Sequence, residues 1–160
     1  MGIGVAMRTL VLLVLLLSVG LARAEEAAFS TGQTLYLPIY SHLPYGNRVA
    51  ADKPGLYPLS ILVSLRNTDP RQPIRLTSAR YYDTNGKLLR EYLNAPRTLA
   101  PLATLELFLE RNDLAGGSGA NFLIAWQADK PVNVPIVEAV HADVTGNRTL
   151  SFVTSARPVR

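Results

Sequence analysis

From about residue 34 onward, apolar and polar positions alternate along most of the chain, and that period of two predicts strands. The clearest case is 103–110, where Leu105, Leu107 and Leu109 share one face and Glu106 and Glu110 turn outward. Leucine and glutamate favour helices, but a strict period of two lays no apolar stripe on a helix. Residues 34–40 set Leu35, Leu37 and Ile39 against Tyr36, Pro38 and Tyr40. Pro38 has no amide to donate, so this strand is expected at a sheet edge or at a switch between sheets. Residues 56–67 align Leu59, Ile61, Val63 and Leu65. Strands at 74–82 and 88–93 flank the turn 83–87, where Asn85 and Gly86 both accept positive φ and signal a hairpin. Further strands are read at 121–128, with Phe122, Ile124 and Trp126 inward, at 136–144 and at 150–155.

Between these runs, 41–54 reads as a long loop punctuated by Pro44, Gly46 and Pro54, a kind of connection that often carries function. Residues 68–73, 94–102, 129–135 and 145–148 read as turns or connections. About eight strands with frequent turns predict an all-β fold. The expected architecture is a single antiparallel β-sandwich of immunoglobulin-like kind over 34–156, with a flexible leader at 25–33 and a basic tail at 157–160.

The first 24 residues follow another pattern. Arg8 precedes the apolar run 10–17, and Ala22-Arg23-Ala24 forms a small-residue cleavage box, which predicts a secretory signal peptide. A membrane-crossing helix needs about 20 apolar residues, so cleavage near Ala24 is expected, with membrane contact only through an uncleaved signal peptide. The expected location is the periplasm or the outside of a bacterial cell. There is no cysteine in the chain, which excludes a lipid anchor on cysteine, disulfides, thiol catalysis and thiolate metal sites. Without Arg8 and Arg23 the formal charge falls from +4 to +2, and the remaining basic residues are scattered among acids. Nucleic acid is therefore not an expected partner.

Candidate chemistry is sparse. Gly116, Gly117 and Gly119 free backbone amides that can cradle an anion, with Ser118 and Asn121 adding side-chain hydrogen bonds. The same glycines also suit a tight connection between strands. A phosphate-binding P-loop is excluded, since no Gly-Lys-Ser/Thr ending follows and the next element is a strand. Gly117-Ser118-Gly119 does not match the spacing of a serine hydrolase elbow. His141 and Asp143 lie two apart on one strand face, and His42 starts the long loop. Those three would have to converge to hold a metal. Glu106 and Glu110 read as a solvated face, and Glu138 as half-buried and paired with Arg80 or Arg66. Among the tyrosines near the long loop, Tyr45, between Pro44 and Gly46, is the one expected to be exposed.

Five segments together carry a resemblance: Arg66-Asn-Thr-Asp-Pro70, Tyr81-Tyr-Asp-Thr-Asn-Gly-Lys87, Gly116-Gly-Ser-Gly-Ala-Asn-Phe122, Trp126-Gln-Ala-Asp-Lys-Pro131 and Pro135-Ile-Val-Glu-Ala139. Over about 32–155 the chain resembles an uncharacterised family of exported bacterial proteins catalogued only as a domain of unknown function. The resemblance implies an envelope or secreted protein and supplies no reaction, substrate or catalytic residue. The expected function is a non-catalytic binding module acting through its end loops, through Tyr45, Gly116, Gly117, Ser118, Gly119 and Asn121. Its partner would be an envelope protein, a glycan or a small anion, without a cofactor or metal. The alternatives are a metal-dependent or hydrolytic enzyme using His42, His141 and Asp143, and an assembly subunit pairing through the strand that holds Pro38.

Overall fold

A computed structural model describes residues 29–50, 53–146 and 149–159, so the signal-peptide reading lies outside the described residues. All elements among the described residues are strands: β1 (Phe29–Ile39), β2 (His42–Ala50), β3 (Lys53–Pro58), β4 (Ser60–Arg66), β5 (Ile74–Tyr82), β6 (Leu88–Glu91), β7 (Arg97–Leu99), β8 (Thr104–Leu109), β9 (Ala120–Asn133), β10 (Ile136–Asp143), β11 (Leu150–Ser155) and β12 (Arg157–Val159). They form two antiparallel sheets and a separate hairpin. One sheet runs β12-β1-β9-β5-β6, with β7 also pairing β5; the other runs β11-β10-β4-β8; β2 pairs β3.

Alternation is what fixes the inward faces. β8 alternates exposed and buried as expected, with Leu105, Leu107 and Leu109 buried. On β9, Phe122, Ile124 and Trp126 are buried. They join Leu37 and Ile39 of β1, Leu76 and Tyr81 of β5, and Ile61, Val63 and Leu65 of β4 in one apolar core supplied by both sheets. Burial of that shared core is the main force holding the two sheets together.

Several boundaries differ from the expectation. β1 begins at Phe29, inside the segment read as a loose leader, and the basic tail is β12, paired with β1 from Thr34 to Tyr36. β1 therefore lies between β12 and β9 over Thr34–Tyr36, and past Tyr36 its β12 side is an open edge, the position expected for Pro38. Pro38 is tolerated because it sits beyond the end of β12. Its carbonyl accepts from the Thr154 hydroxyl at 2.8 Å, so its nitrogen side also faces away from β9 and no ladder bond is lost. The long loop 41–54 is instead most of the β2–β3 hairpin. The strand read over 56–67 is broken at Leu59, whose amide donates to Ser41 O at 3.0 Å. Within 94–102, three residues form β7.

The turn expected at 129–135 lies largely inside a continuous β9. Between the pairs Gly32↔Gln127 and Ser30↔Val132, residues 128–131 bulge out against a single residue of β1. Gly32 is required there, because a Cβ would lie 2.8 Å from the Trp126 carbonyl oxygen. At the 83–87 turn only Gly86 takes positive φ, at 80°, and Asn85 does not.

Candidate functional site

Three connections meet where β1 hands the chain to the hairpin. Tyr40 donates its amide to His141 Nε2 at 3.1 Å, reaching from the end of β1 to β10. Ser41, fully buried, donates both its amide and its hydroxyl to Gly117 O at 3.1 Å. With that hydroxyl hydrogen committed, the 3.1 Å contact from Ser41 Oγ to His42 Nδ1 requires Nδ1 to be the donor.

The glycine loop is held from the other side by Thr84, in the β5–β6 turn. Thr84 donates its amide and hydroxyl to Gly116 O, at 2.9 and 3.0 Å, and its oxygen accepts the Gly119 amide at 3.0 Å. Gly117 has φ of 79° and donates its amide to Leu114 O at 3.2 Å. A side chain on Gly116 would run into the Tyr81 hydroxyl, and one on Gly117 into Thr84 Oγ1. An anion nest needs these amides aimed together at open space, and those of Gly117 and Gly119 are engaged internally. The glycines act as a tight structural joint. Ser118 is half-buried, and Asn121 lies within β9, opposite Pro38 and Tyr82, so it belongs to the ladder rather than the loop.

Beside this joint, Asp143 and Arg111 form a pair that the local sequence does not announce. Asp143 Oδ1 receives Arg111 Nε at 3.2 Å, and both carboxylate oxygens accept from Thr145 Oγ1, at 2.7 and 2.9 Å. The Thr145 hydroxyl, then that of Tyr57, holds the carboxyl below the usual carboxylate range, with Arg111 adding to it. Asp143 is shut off from solvent by the groups that bond it rather than by depth in the core. Arg111 is half-exposed and lines an open depression of about 510 Å³ with Pro58, Glu110, Asn112 and Leu114.

Tyr45 is exposed, as expected, and stands edge-to-face with Tyr57 at 6.1 Å. Its ring covers Gly55, its partner in the hairpin register, where a Cβ would lie 2.7 Å from the ring. A line of contacts thus runs from Tyr45 through Tyr57 and Asp143 to Arg111.

His141 and Asp143 share one face of β10 as expected, but that face is the inward, buried one rather than a surface or edge position, with different consequences for each. The His141 ring is fully buried, stacked on Phe152 with centroids 4.6 Å apart, and its Nε2 lone pair is taken by Tyr40. Burial pushes its pKa down to about 4, and the nearby carbonyls of Ala139 and Phe152 only partly oppose this. Those carbonyls are not well enough placed to give Nδ1 a hydrogen bond. Among the described residues no three His, Asp or Glu side chains gather to hold a metal. Glu138 lies on the outer face with Ile136 and Val140, and the ion pair of Arg80 is with Glu91, at 3.4 Å.

At the opposite end, the Arg66–Pro70 segment is a second joint. Asn67 Nδ2 reaches the carbonyls of Gln72, Leu99 and Ala100 at 2.9, 3.3 and 3.0 Å. Asp69 accepts the amides of Arg71 and Gln72 at 2.8 and 2.9 Å, which with the amide of Asn133 hold its carboxyl below the usual range.

No curated protein matches the chain. Among solved structures, the crystal structure of Thermotoga maritima 1070 is similar at 14% identity and a TM-score of 0.44, over 78% of this chain and 92% of that one. A family model described as "Protein of unknown function (DUF3124)" matches residues 32–159, from within β1 to the end of β12. The chain belongs to that family.

Proposed function

We propose that this protein is an immunoglobulin-like β-sandwich of the bacterial envelope, exported by residues 1–24, that acts as a non-catalytic interaction module through the end built around Arg111 and Asp143. The observation that carries the reading is that three separate connections at this end each expose apolar side chains. Tyr45 and Leu56 come from the β2–β3 hairpin, Leu114 from the glycine loop, and Val144 from the β10–β11 connection. Leu114 lines the depression with Pro58 and Arg111, and apolar side chains exposed on several loops of one end suit a contact site. Arg111, fixed through Nε, adds a cationic group at the rim for a carboxylate of the partner. The partner that fits is an envelope protein segment offering apolar side chains beside an acid.

The reading also accounts for the glycines: they tie the hairpin, the loop and the β5–β6 turn into one rigid platform. The test compares partners captured from an envelope fraction by the wild-type protein and by a Tyr45→Ser/Leu56→Ser/Leu114→Ser variant with an unchanged unfolding midpoint. Loss of a partner is expected. Equal capture would overturn the site. Fractionation with N-terminal sequencing tests export, the expected mature start being Glu25.

A further inference from the structure

A pocket of about 240 Å³ opens between β6 and β8, each the outermost strand of its sheet. Arg90 on β6 and Tyr92 just past it line one side; Phe108 and Leu109 at the end of β8 line the other, with Glu110 and Asp113 in the turn that follows. Both sides are held from behind. The Tyr92 amide donates to Ala79 O at 2.9 Å, and its ring packs on Phe122 and Tyr81, with centroids 5.2 and 6.3 Å away. In the turn, the Asp113 amide donates to Glu110 O at 3.0 Å, and Asp113 Oδ1 accepts the Ala115 amide at 3.2 Å.

Charges of both signs share this pocket without pairing. The Arg90 guanidinium lies over the Tyr92 ring, 5.3 Å from its centroid, and donates to the Tyr92 hydroxyl. Burial raises the pKa of that hydroxyl, Arg90 lowers it and Asp113 raises it, so the two opposite charges flank one oxygen. Among the described residues, none of Arg90, Glu110 and Asp113 is in an ion pair. A bare anion in this pocket would meet Glu110 and Asp113, and a bare cation would meet Arg90. Two carboxylates are too few to hold a metal. The Tyr92 face on which a sugar ring would stack is covered by Arg90. What the charges do suit is a ligand with one group of each sign.

We propose that this pocket binds a small zwitterion, a free α-amino acid with an apolar side chain. Its carboxylate pairs with Arg90, which has guanidinium donors to spare beyond the bond to Tyr92. Its ammonium pairs with Asp113 and Glu110, and its side chain lies against Phe108 and Leu109. Each polar contact is a charge-assisted hydrogen bond, the stronger kind. The volume is below the roughly 300 Å³ at which pockets for drug-sized ligands begin, as a single amino acid requires. The pocket shares only Glu110 with the depression beside Arg111, so it stands independently of the contact site at the hairpin end.

The test is an NMR titration of the protein with L-leucine, read at the backbone amides of Arg90, Tyr92 and Asp113. Two analogues are titrated beside it: L-leucinamide, which lacks the carboxylate, and isocaproate, which lacks the ammonium. L-leucine should bind with a Kd of about 1 mM or tighter. Each analogue should bind at least tenfold more weakly, because it leaves one charged partner unpaired. Arg90→Gln should abolish the preference over L-leucinamide and keep that over isocaproate. Glu110→Gln/Asp113→Asn, which retains an acceptor for the Ala115 amide, should do the reverse. General damage to the pocket would instead remove both preferences together. No shifts up to about 10 mM L-leucine, or an analogue that binds as tightly, overturns the proposal. Loss of both preferences in either variant, or of neither, overturns the assigned roles.

Discussion

The backbone amide of Tyr40 donates to Nε2 of His141 across 3.1 Å, joining the end of β1 to the inward face of β10. Only the neutral ring can accept that bond. Protonation would also place a charge in a fully buried site against Phe152. The folded pKa of about 4 lies below the ordinary 6.5, so between those values the unfolded chain binds more protons than the folded one. Stability should therefore be complete above about pH 6.5 and fall as the pH drops toward about 4. At about 1.4 kcal/mol per tenfold in proton affinity, the loss approaches about 3 kcal/mol. Urea unfolding at a series of pH values checks this. His141→Gln keeps an acceptor for Tyr40 without a titrating ring, and should lack this component of the slope.

Gly116 sits where the Tyr81 hydroxyl, itself buried and without a hydrogen-bond partner, fills the space a side chain would need. Gly116→Ala should destabilise the protein by about 1–3 kcal/mol, the usual range for overpacking. Tyr81→Phe alone should be nearly neutral, since no hydrogen bond is lost. In the double variant it should recover part of the Gly116→Ala loss, though not all, because Tyr81 Cζ and Ala120 Cβ also lie within 2.8 Å of the added methyl. Two additive single losses in urea unfolding would show that the ring is not what excludes a side chain. Substitutions at these glycines report on folding first, so contact through this end is better tested at Tyr45, Leu56 and Leu114.

β8 and the first half of β9 were legible in the sequence because each buries one face and leaves the other half-exposed or exposed, which writes the period of two into the residues. The β2–β3 hairpin was not. It puts Pro44 opposite Leu56 and Tyr45 opposite Gly55, and neither of its faces joins the main core to impose an apolar alternation. β7 and β12 are three residues long, too short for any periodicity. Asp143 drew notice through its spacing from His141, but its partners Arg111 and Tyr57 come from other elements. An apolar row across the outward face of the β11-β10-β4-β8 sheet is similarly hidden: Phe108, Leu62, Val140 and Val153 become neighbours only once four strands are in register.

Asp143 owes its depressed pKa first to the Thr145 hydroxyl, next to that of Tyr57, and only then, among its bonded partners, to the Arg111 guanidinium. Carbon-detected titration of the carboxyl should therefore show a larger upward move in Thr145→Val than in Arg111→Ala. The folded pKa is below the ordinary value, so the stability Asp143 contributes is present above about 3.8 and is lost as the pH falls through its folded pKa. That window lies below the one set by His141, and the two losses should appear as separate steps in the wild type. Equal moves in the two variants would mean that the ion pair outweighs the hydroxyl.

Asn67 is buried and makes the Arg66–Pro70 segment a joint. Its amide nitrogen serves three carbonyls, while Oδ1 accepts the Asp69 amide at 3.0 Å. Asn67→Ala strands buried acceptors and should cost about 2–4 kcal/mol, given about 1–3 kcal/mol for each unsatisfied group. Asn67→Asp keeps the shape but points a carboxylate at the carbonyls of Gln72, Leu99 and Ala100, and should be worse than alanine at pH 7. The oxygens around it favour the protonated acid, which can donate to one of them, so the folded pKa of Asp at this position should rise above its unfolded value of about 3.9. Below that unfolded value the acid form regains its full hydrogen bond, and the gain is lost as the pH rises through the folded pKa. The two variants compared in urea at pH 7 and pH 4.5 share the same His141 contribution, which cancels. Asn67→Asp should be the less stable at pH 7 and should close the gap, or overtake, at pH 4.5. A gap that does not change with pH would mean that water rather than the three carbonyls surrounds this side chain.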